Sequence, residues 1–262
     1  MLQSIVLGLV QGLTEFLPIS SSGHLVVVPA MAGWDDPSLT FDLVLHVGTL
    51  VAVVTVYRRD LWALAVGLAG RGPDPADARR LAGLLLVGSI PAGAAGVALG
   101  GFFEDRFEEP TWASAQLVVT GFVLLGAEAL AGRVREPRDV DAPRATAIGV
   151  AQAVAILPGI SRSGTTIATG LTLGLDRPRA ARFSFLLSIP VIAGAAATQV
   201  PDVVDGSFDL TAAVAAGFAV SAVSGFVAIH VFLRYLRTHS MRPFAYYLFA
   251  FAPVSALVVW VR

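Results

Sequence analysis

The chain contains no cysteine and no lysine; all 18 of its basic residues are arginine. Without cysteine there is no disulfide framework, no thiolate nucleophile and no zinc–thiolate site. Without lysine there is no Schiff-base chemistry and no Walker-type lysine on a phosphate loop. Charge is also scarce, at 14% of 262 residues, where a soluble domain carries about 25%. The N-terminus has neither a basic opening nor a clean cleavage site, so residues 1–10 do not read as a removable signal peptide. A net charge of −1 says little about partners, and no nucleic-acid partner is expected.

Apolar sequence fills the chain, with hydrophobic residues making up 55% of it. Six segments are long enough to cross a bilayer, 41–57, 81–101, 111–132, 182–200, 211–234 and 243–261, since about 20 residues span the hydrocarbon core. Four others, 3–16, 20–33, 145–157 and 163–175, are too short and read as re-entrant pieces. They form two pairs, each broken in the middle by proline and serine.

Charge in the connections orients these segments. Arg58, Arg59, Arg71, Arg79 and Arg80 share one connection, and Arg133, Arg135, Arg138 and Arg144 share another. Arg177, Arg179 and Arg182, then Arg237 and Arg242, mark two more, and the positive-inside rule places all four in the cytoplasm. The alternate connections are acidic: Asp35 and Asp36; Glu104, Asp105, Glu108 and Glu109 around Arg106; Asp202, Asp205 and Asp209. The two sets alternate only if each short pair enters and leaves on one side, the first from outside and the second from the cytoplasm.

An internal repeat agrees. A shift of 141 lays Gly8, Gln11, Ile19, Ser20, Ser22 and Gly23 on Gly149, Gln152, Ile160, Ser161, Ser163 and Gly164, and a shift of 142 lays Phe41 and Leu45 on Phe183 and Leu187. Each half then holds one re-entrant pair and three spans, an odd number, so the halves are inverted. The fold expected is an all-α polytopic membrane protein with six spanning helices, two re-entrant helix pairs and an inverted-topology repeat. It forms one membrane domain over 1–262, with halves of about 1–140 and 141–262.

The two breaks carry the chemistry. The first, 15–24, reads E-F-L-P-I-S-S-S-G-H, and the second, 157–166, reads L-P-G-I-S-R-S-G-T-T. Each runs from proline through hydroxyls and glycine into a new short helix, whose unpaired N–H groups and dipole attract an anion. Arg162 adds a planar cation suited to phosphate oxygens. Intramembrane charge is functional by default, yet plainer readings stand beside this one: the hydroxyls as N-caps, Arg162 as a structural ion pair with Glu15, and His24 as a buried imidazole bonded to backbone. Gln11 and Gln152 sit where they can bond broken backbone or ligand. His46 and Asp42 fall near the outer end of a span, Asp42 at the interface. Glu128 pairs with a loop arginine, His230 makes a helix–helix hydrogen bond, and His239 lies in a cytoplasmic loop.

At these breaks the sequence resembles the undecaprenyl pyrophosphate phosphatase family, the bacitracin-resistance type of membrane diphosphatase. Q-G-L-T-E-F-L-P-I-S-S-S-G-H at 11–24 is similar to its first signature and P-G-I-S-R-S-G-T-T at 158–166 to its second. The resemblance implies hydrolysis of undecaprenyl diphosphate to the monophosphate, which recycles the lipid carrier for cell-wall synthesis at the bacterial plasma membrane. It implies Glu15, Ser21, His24 and Arg162 as catalytic residues, and Gln11, Ser20, Ser22, Ser161, Ser163 and Thr166 as substrate-binding ones. Glu15 is also the candidate ligand for a divalent cation, Mg or Ca. Gln11 stands where many relatives carry glutamate, and an amide is neither a base nor a strong divalent-metal ligand. Attack by Ser21, with Glu15 or His24 as base, and direct attack by water are both open. The site is expected to open on the outer face, membrane lipids are neighbours, and a homodimer is admissible. The rival reading is a transporter or flippase of polyprenyl phosphate, or of another anion, that uses the same midplane site.

Overall fold

A computed structural model describes residues 1–35, 38–107, 109–131, 138–198 and 209–261, without the side chain of Glu104. Asp36, Glu108, Arg133, Arg135, Asp202 and Asp205, used above for orientation, lie outside the described residues. The elements are helices α1 (Leu2–Phe16), α2 (Ser21–Ala32), α3 (Leu39–Val56), α4 (Arg58–Leu68), α5 (Pro75–Phe107), α6 (Pro110–Ala131), α7 (Ala142–Val154), α8 (Arg162–Thr172), α9 (Arg177–Thr198), α10 (Ala212–Leu236) and α11 (Arg242–Val261). No strand occurs among the described residues. Six of these helices, α3, α5, α6, α9, α10 and α11, are long and apolar enough to cross a membrane.

Three departures from the sequence reading have local causes. Helix α4 lies inside a connection read only for its arginines; Leu61 and Leu64 pack on the core while Trp62 stays exposed, so the stretch buries one apolar face. Helix α5 starts earlier than 81 because Asp74 Oδ1 accepts the Asp77 N–H at 2.9 Å, with Pro75 at the first helical position. Helix α9 likewise starts at Arg177 because Asp176 Oδ1 accepts the Arg179 N–H at 2.8 Å.

The packing pairs helices from residues 1–131 with helices from residues 142–261. Helix α1 packs on α10 and α7 on α5; α3 also lies on α10, and α9 on α5. Helix α6 packs on α8, α11 on α2, and α6 and α11 on each other. Two glycine contacts mark close approaches of backbone to backbone: a Cβ on Gly8 would lie 2.3 Å from the Gly217 carbonyl oxygen, and one on Gly149 would lie 2.3 Å from that of Gly88. Small residues of this kind let helices without a hydrophobic drive between them pack closely.

At the end of the bundle that carries the arginine-rich connections, Glu128 takes two hydrogen bonds from Arg177, at 2.5 and 2.7 Å, and one from the Met241 N–H at 2.7 Å. The pairing expected of Glu128 is therefore present, and it ties α6 to α9 and to the turn before α11. His230 differs from expectation. Its Nδ1 meets the Phe226 carbonyl at 2.9 Å, one turn back on its own exposed helix face, and among the described residues it bridges no helices.

Candidate active site

Helix α1 stops at Phe16 because Pro18 brings no N–H to continue it and pushes Leu17 into extended backbone, φ −71° and ψ 146°. The chain restarts at α2 through Ser20, whose Oγ accepts the Gly23 N–H at 3.3 Å. Ser20 has φ 68°, the one positive value at a non-glycine residue among those described, a conformation that costs about 1–3 kcal/mol and persists only when its surroundings hold it. The second break follows the same plan: α7 ends at Val154, Gly159 turns with φ 95°, and Ser161 Oγ accepts the Gly164 N–H at 3.0 Å.

The two breaks touch. Ser163 Oγ donates to the Leu17 carbonyl at 2.9 Å, and a Cβ on Gly23 would lie 2.8 Å from Gly159 Cα. Helix α6 braces the second break through Thr120, whose hydroxyl donates to the Gly159 carbonyl at 2.8 Å and accepts the Ser161 N–H at 3.0 Å.

Glu15 is the centre. One carboxylate oxygen accepts from Arg162 Nη2. The other accepts from Ser21 Oγ and, at 3.1 Å, from Gln11 Nε2. His46 Nε2 stands 3.6 Å from that second oxygen. His46 Nδ1 lies 2.8 Å from the Asp42 carbonyl, which can only accept, so Nδ1 carries a proton. One carboxylate thus faces a hydroxyl, a guanidinium, an amide and an imidazole drawn from four helices.

A cavity of about 250 Å³ opens beside this cluster, lined on its polar side by Glu15, Ser20, Ser21, Ser22, Asp42, His46, Gln152, Ser161 and Arg162. Leu39 and Leu43 of α3, Phe107 of α5, and Val191 and Ile192 of α9 supply an apolar wall. Some of its buried polar atoms have no protein partner among the described residues: Arg162 Nη1 and both amide atoms of Gln152. Leaving such groups unpaired costs about 1–3 kcal/mol each. A guanidinium and an amide held in that state at one cavity form a receptor for an oxyanion.

The residues singled out from the sequence separate into two groups. Glu15, Ser20, Ser21, Ser22, Ser161 and Arg162 line the cavity. Gln11 sits behind Glu15, bonded to it and, at 3.5 Å, to Thr49. Ser163 is spent on Leu17, and Thr166 bonds the Arg162 carbonyl at 2.7 Å and Ser184 Oγ at 2.6 Å, so both hold backbone and neither lines the cavity. His24 also lies outside the lining: Nδ1 is 2.7 Å from the Ser20 carbonyl and Nε2 is 2.8 Å from Tyr247 Oη. The ion pair of Arg162 with Glu15 and the backbone-bonded His24, the plainer readings of the sequence, are both present. His46, Thr120 and Tyr247 were given no role at the site. His46 does carry a signal, an imidazole in an apolar span one turn after Asp42, whereas Thr120 and Tyr247 carry none.

Known proteins resemble this chain over nearly its whole length. Residues 4–254 match the family of the bacitracin resistance protein BacA. The chain is 44% identical to an undecaprenyl-diphosphatase of Rubrobacter xylanophilus, over 99% of this chain and 98% of that one. It is 42% identical to an undecaprenyl-diphosphatase of Moorella thermoacetica, over 100% and 98%, and 42% identical to undecaprenyl-diphosphatase 2 of Stutzerimonas stutzeri, over 94% of each. With likeness of that depth running through both serine-rich breaks, the chain belongs to the bacitracin resistance protein BacA family.

Proposed function

We propose that the protein hydrolyses undecaprenyl diphosphate to undecaprenyl monophosphate and phosphate. The observation that carries this is the convergence of Ser21 and Arg162 on Glu15 beside a cavity with unpaired guanidinium and amide groups. Full-length likeness to named diphosphatases supports the substrate. The 250 Å³ cavity is smaller than the roughly 300–1,000 Å³ of ordinary ligand pockets. It suits a diphosphate and the start of a prenyl chain against Leu39, Leu43 and Val191, with the rest of the lipid outside.

In this reading Arg162 and the N-termini of α2 and α8 bind the diphosphate and offset charge on the transferring phosphoryl group. Ser21 Oγ attacks the terminal phosphorus and its proton passes to Glu15, to which it is already bonded. An Oγ–P bond forms, the anhydride P–O bond breaks, and undecaprenyl monophosphate leaves. Glu15 releases that proton to solvent as the monophosphate departs; water then attacks the phosphoserine and gives its proton to Glu15, which returns it to the Ser21 oxygen as the Oγ–P bond breaks and phosphate is released. The monophosphate needs little help from an acid, since its second pKa is about 6.

This reading needs no resident divalent metal, for which Glu15 is the candidate ligand. Among the described residues no group of three His, Asp or Glu side chains is placed to hold a metal ion, and both Glu15 oxygens are engaged. No step above depends on a metal; Arg162 supplies the cation.

The same proposal includes the arrangement in the membrane: two re-entrant pairs, α1–α2 and α7–α8, in inverted halves, with the cavity open to the outer face. It is supported by the way contacts map onto one another when the halves are exchanged, α1 on α10 with α7 on α5 and Gly8–Gly217 with Gly149–Gly88. The placement of arginine and carboxylate in alternate connections supports the outward opening.

The test is purified protein in detergent, given a prenyl diphosphate, with released phosphate measured. Glu15→Ala and Arg162→Ala are expected to lose activity by a factor of about 100 or more, and a phosphoserine should be trapped at Ser21. Full turnover in either variant, or lipid uptake into vesicles without phosphate release, would overturn the reading.

A further inference from the structure

We propose that Tyr247 on α11 is a positioning residue for the phosphoryl transfer described above, acting through His24, and that His24 holds the nucleophile loop and does not touch the phosphate. The inference rests on the diphosphatase reading and goes beyond it.

It starts at Ser20, the residue with φ 68°. Its carbonyl accepts two hydrogen bonds from one residue, the His24 backbone N–H at 3.2 Å and His24 Nδ1 at 2.7 Å. A carbonyl cannot donate, so Nδ1 carries a proton and Nε2 of the neutral ring is left as an acceptor. Tyr247 Oη, 2.8 Å away, supplies the hydrogen it needs. The imidazole is also stacked on Phe251, centroids 4.6 Å apart and planes 7° from parallel, and it is buried. Its tautomer is set by Tyr247 and its plane by Phe251, both on α11.

The consequence reaches the next residue along. The Ser20 carbonyl belongs to the peptide whose nitrogen is that of Ser21, and Ser21 Oγ is the group bonded to Glu15. Fixing that carbonyl in a backbone region that serine rarely adopts therefore aims the Ser21 hydroxyl. A general base would need Nε2 or Nδ1 within reach of the reacting hydroxyl or water. Both nitrogens are occupied elsewhere, and the ring does not line the cavity.

The experiment measures kcat and KM for phosphate release from a prenyl diphosphate by the full chain in detergent, with Tm recorded for every variant. Tyr247→Phe keeps the stacked ring and removes only the hydroxyl; kcat is expected to fall about tenfold with KM changed by less than about twofold. His24→Ala should lose a factor of about 100 or more, whereas His24→Asn, whose Nδ2 can stand where Nδ1 stands, should return to within about tenfold of the parent. A purely structural role would lower Tm without the split between kcat and KM or the recovery by asparagine. Parental kcat in Tyr247→Phe overturns the proposal, and so does a folded His24→Asn as inactive as His24→Ala. If both His24 variants unfold, Tyr247→Phe alone decides. Glu15→Ala, run alongside, separates the two readings, since full turnover there sinks the diphosphatase site itself.

Discussion

Replacing Gln152 by leucine should raise or preserve stability while lowering activity, an opposition of signs that few substitutions give. Gln152 is 1% exposed, and neither amide atom has a protein partner among the described residues. In the free protein leucine therefore breaks no hydrogen bond and removes two polar atoms buried without one, each of which costs about 1–3 kcal/mol. The change in unfolding free energy should be zero or favourable. With substrate bound the sign reverses. An amide N–H donated to a phosphoryl oxygen is worth about 1.5–3 kcal/mol, and its loss should lower kcat/KM by a factor of about 10–150. Gln11 is the control, because it occupies the corresponding place in the other half of the chain and its Nε2 already bonds Glu15 at 3.1 Å and Thr49 at 3.5 Å. Gln11→Leu should lower Tm. The assays are thermal unfolding in detergent and phosphate release over a range of lipid concentrations. A Gln152→Leu protein that loses as much Tm as Gln11→Leu, or keeps kcat/KM within about twofold, would refute the assignment of that amide to the substrate. A rise in KM alone would mean that the amide binds ground state and transition state equally; a fall in kcat would mean that it acts as phosphorus is transferred.

Two further outcomes follow from buried contacts. Thr120→Val keeps the shape of the side chain but strips partners from the Gly159 carbonyl and the Ser161 N–H; it should cost about 1–3 kcal/mol for each group left unpaired and lower kcat through displacement of Arg162, read by denaturation and phosphate release, and a variant equal to the parent in both would refute the brace. Gly149→Ala drives a Cβ to 2.3 Å from backbone on α5 and Gly8→Ala does the same on α10, so each should destabilise by about 1–3 kcal/mol; if only one does, the correspondence between the halves is weaker than their contacts suggest.

The spans were legible because lipid imposes a composition. Helices α6, α10 and α11 fall within two or three residues of the stretches read from hydropathy, as in Pro110–Ala131 against 111–132. Their starts were less legible, because a cap such as Asp74 or Asp176 sits in a charged connection whose residues read equally well as solvated. The members of the site divide in the same way. Glu15, Ser21 and Arg162 announce themselves by being polar inside apolar sequence. His46 was undervalued because its place depends on how α3 is rotated about its axis against α1, and no local pattern encodes that rotation. Tyr247 lies 223 positions from His24, and a tyrosine near a helix end is as well explained by the membrane interface. His24 illustrates the converse: its motif is conspicuous, but what it touches is set by α11.

The repeat register helps explain why only one of the two breaks brings a carboxylate to this site. Under the shift of 141, Ser21 falls on Arg162 and Glu15 falls on Ile156. Equivalent positions at the start of two short helices therefore meet on a single acid, one bringing a hydroxyl and the other a cation. Two arginines there would leave no nucleophile, and two serines would leave the diphosphate unopposed. A further carboxylate at 156, a position that lines the cavity, would bring another negative charge close to a polyanionic substrate, worth roughly 4 kcal/mol of repulsion at 4 Å in a partly screened site. The departure from symmetry lies at positions that line the cavity, whereas the capping serines, Ser20 with Ser161, and the close-packed glycines, Gly8 with Gly149, are kept in both halves because their backbone task is the same.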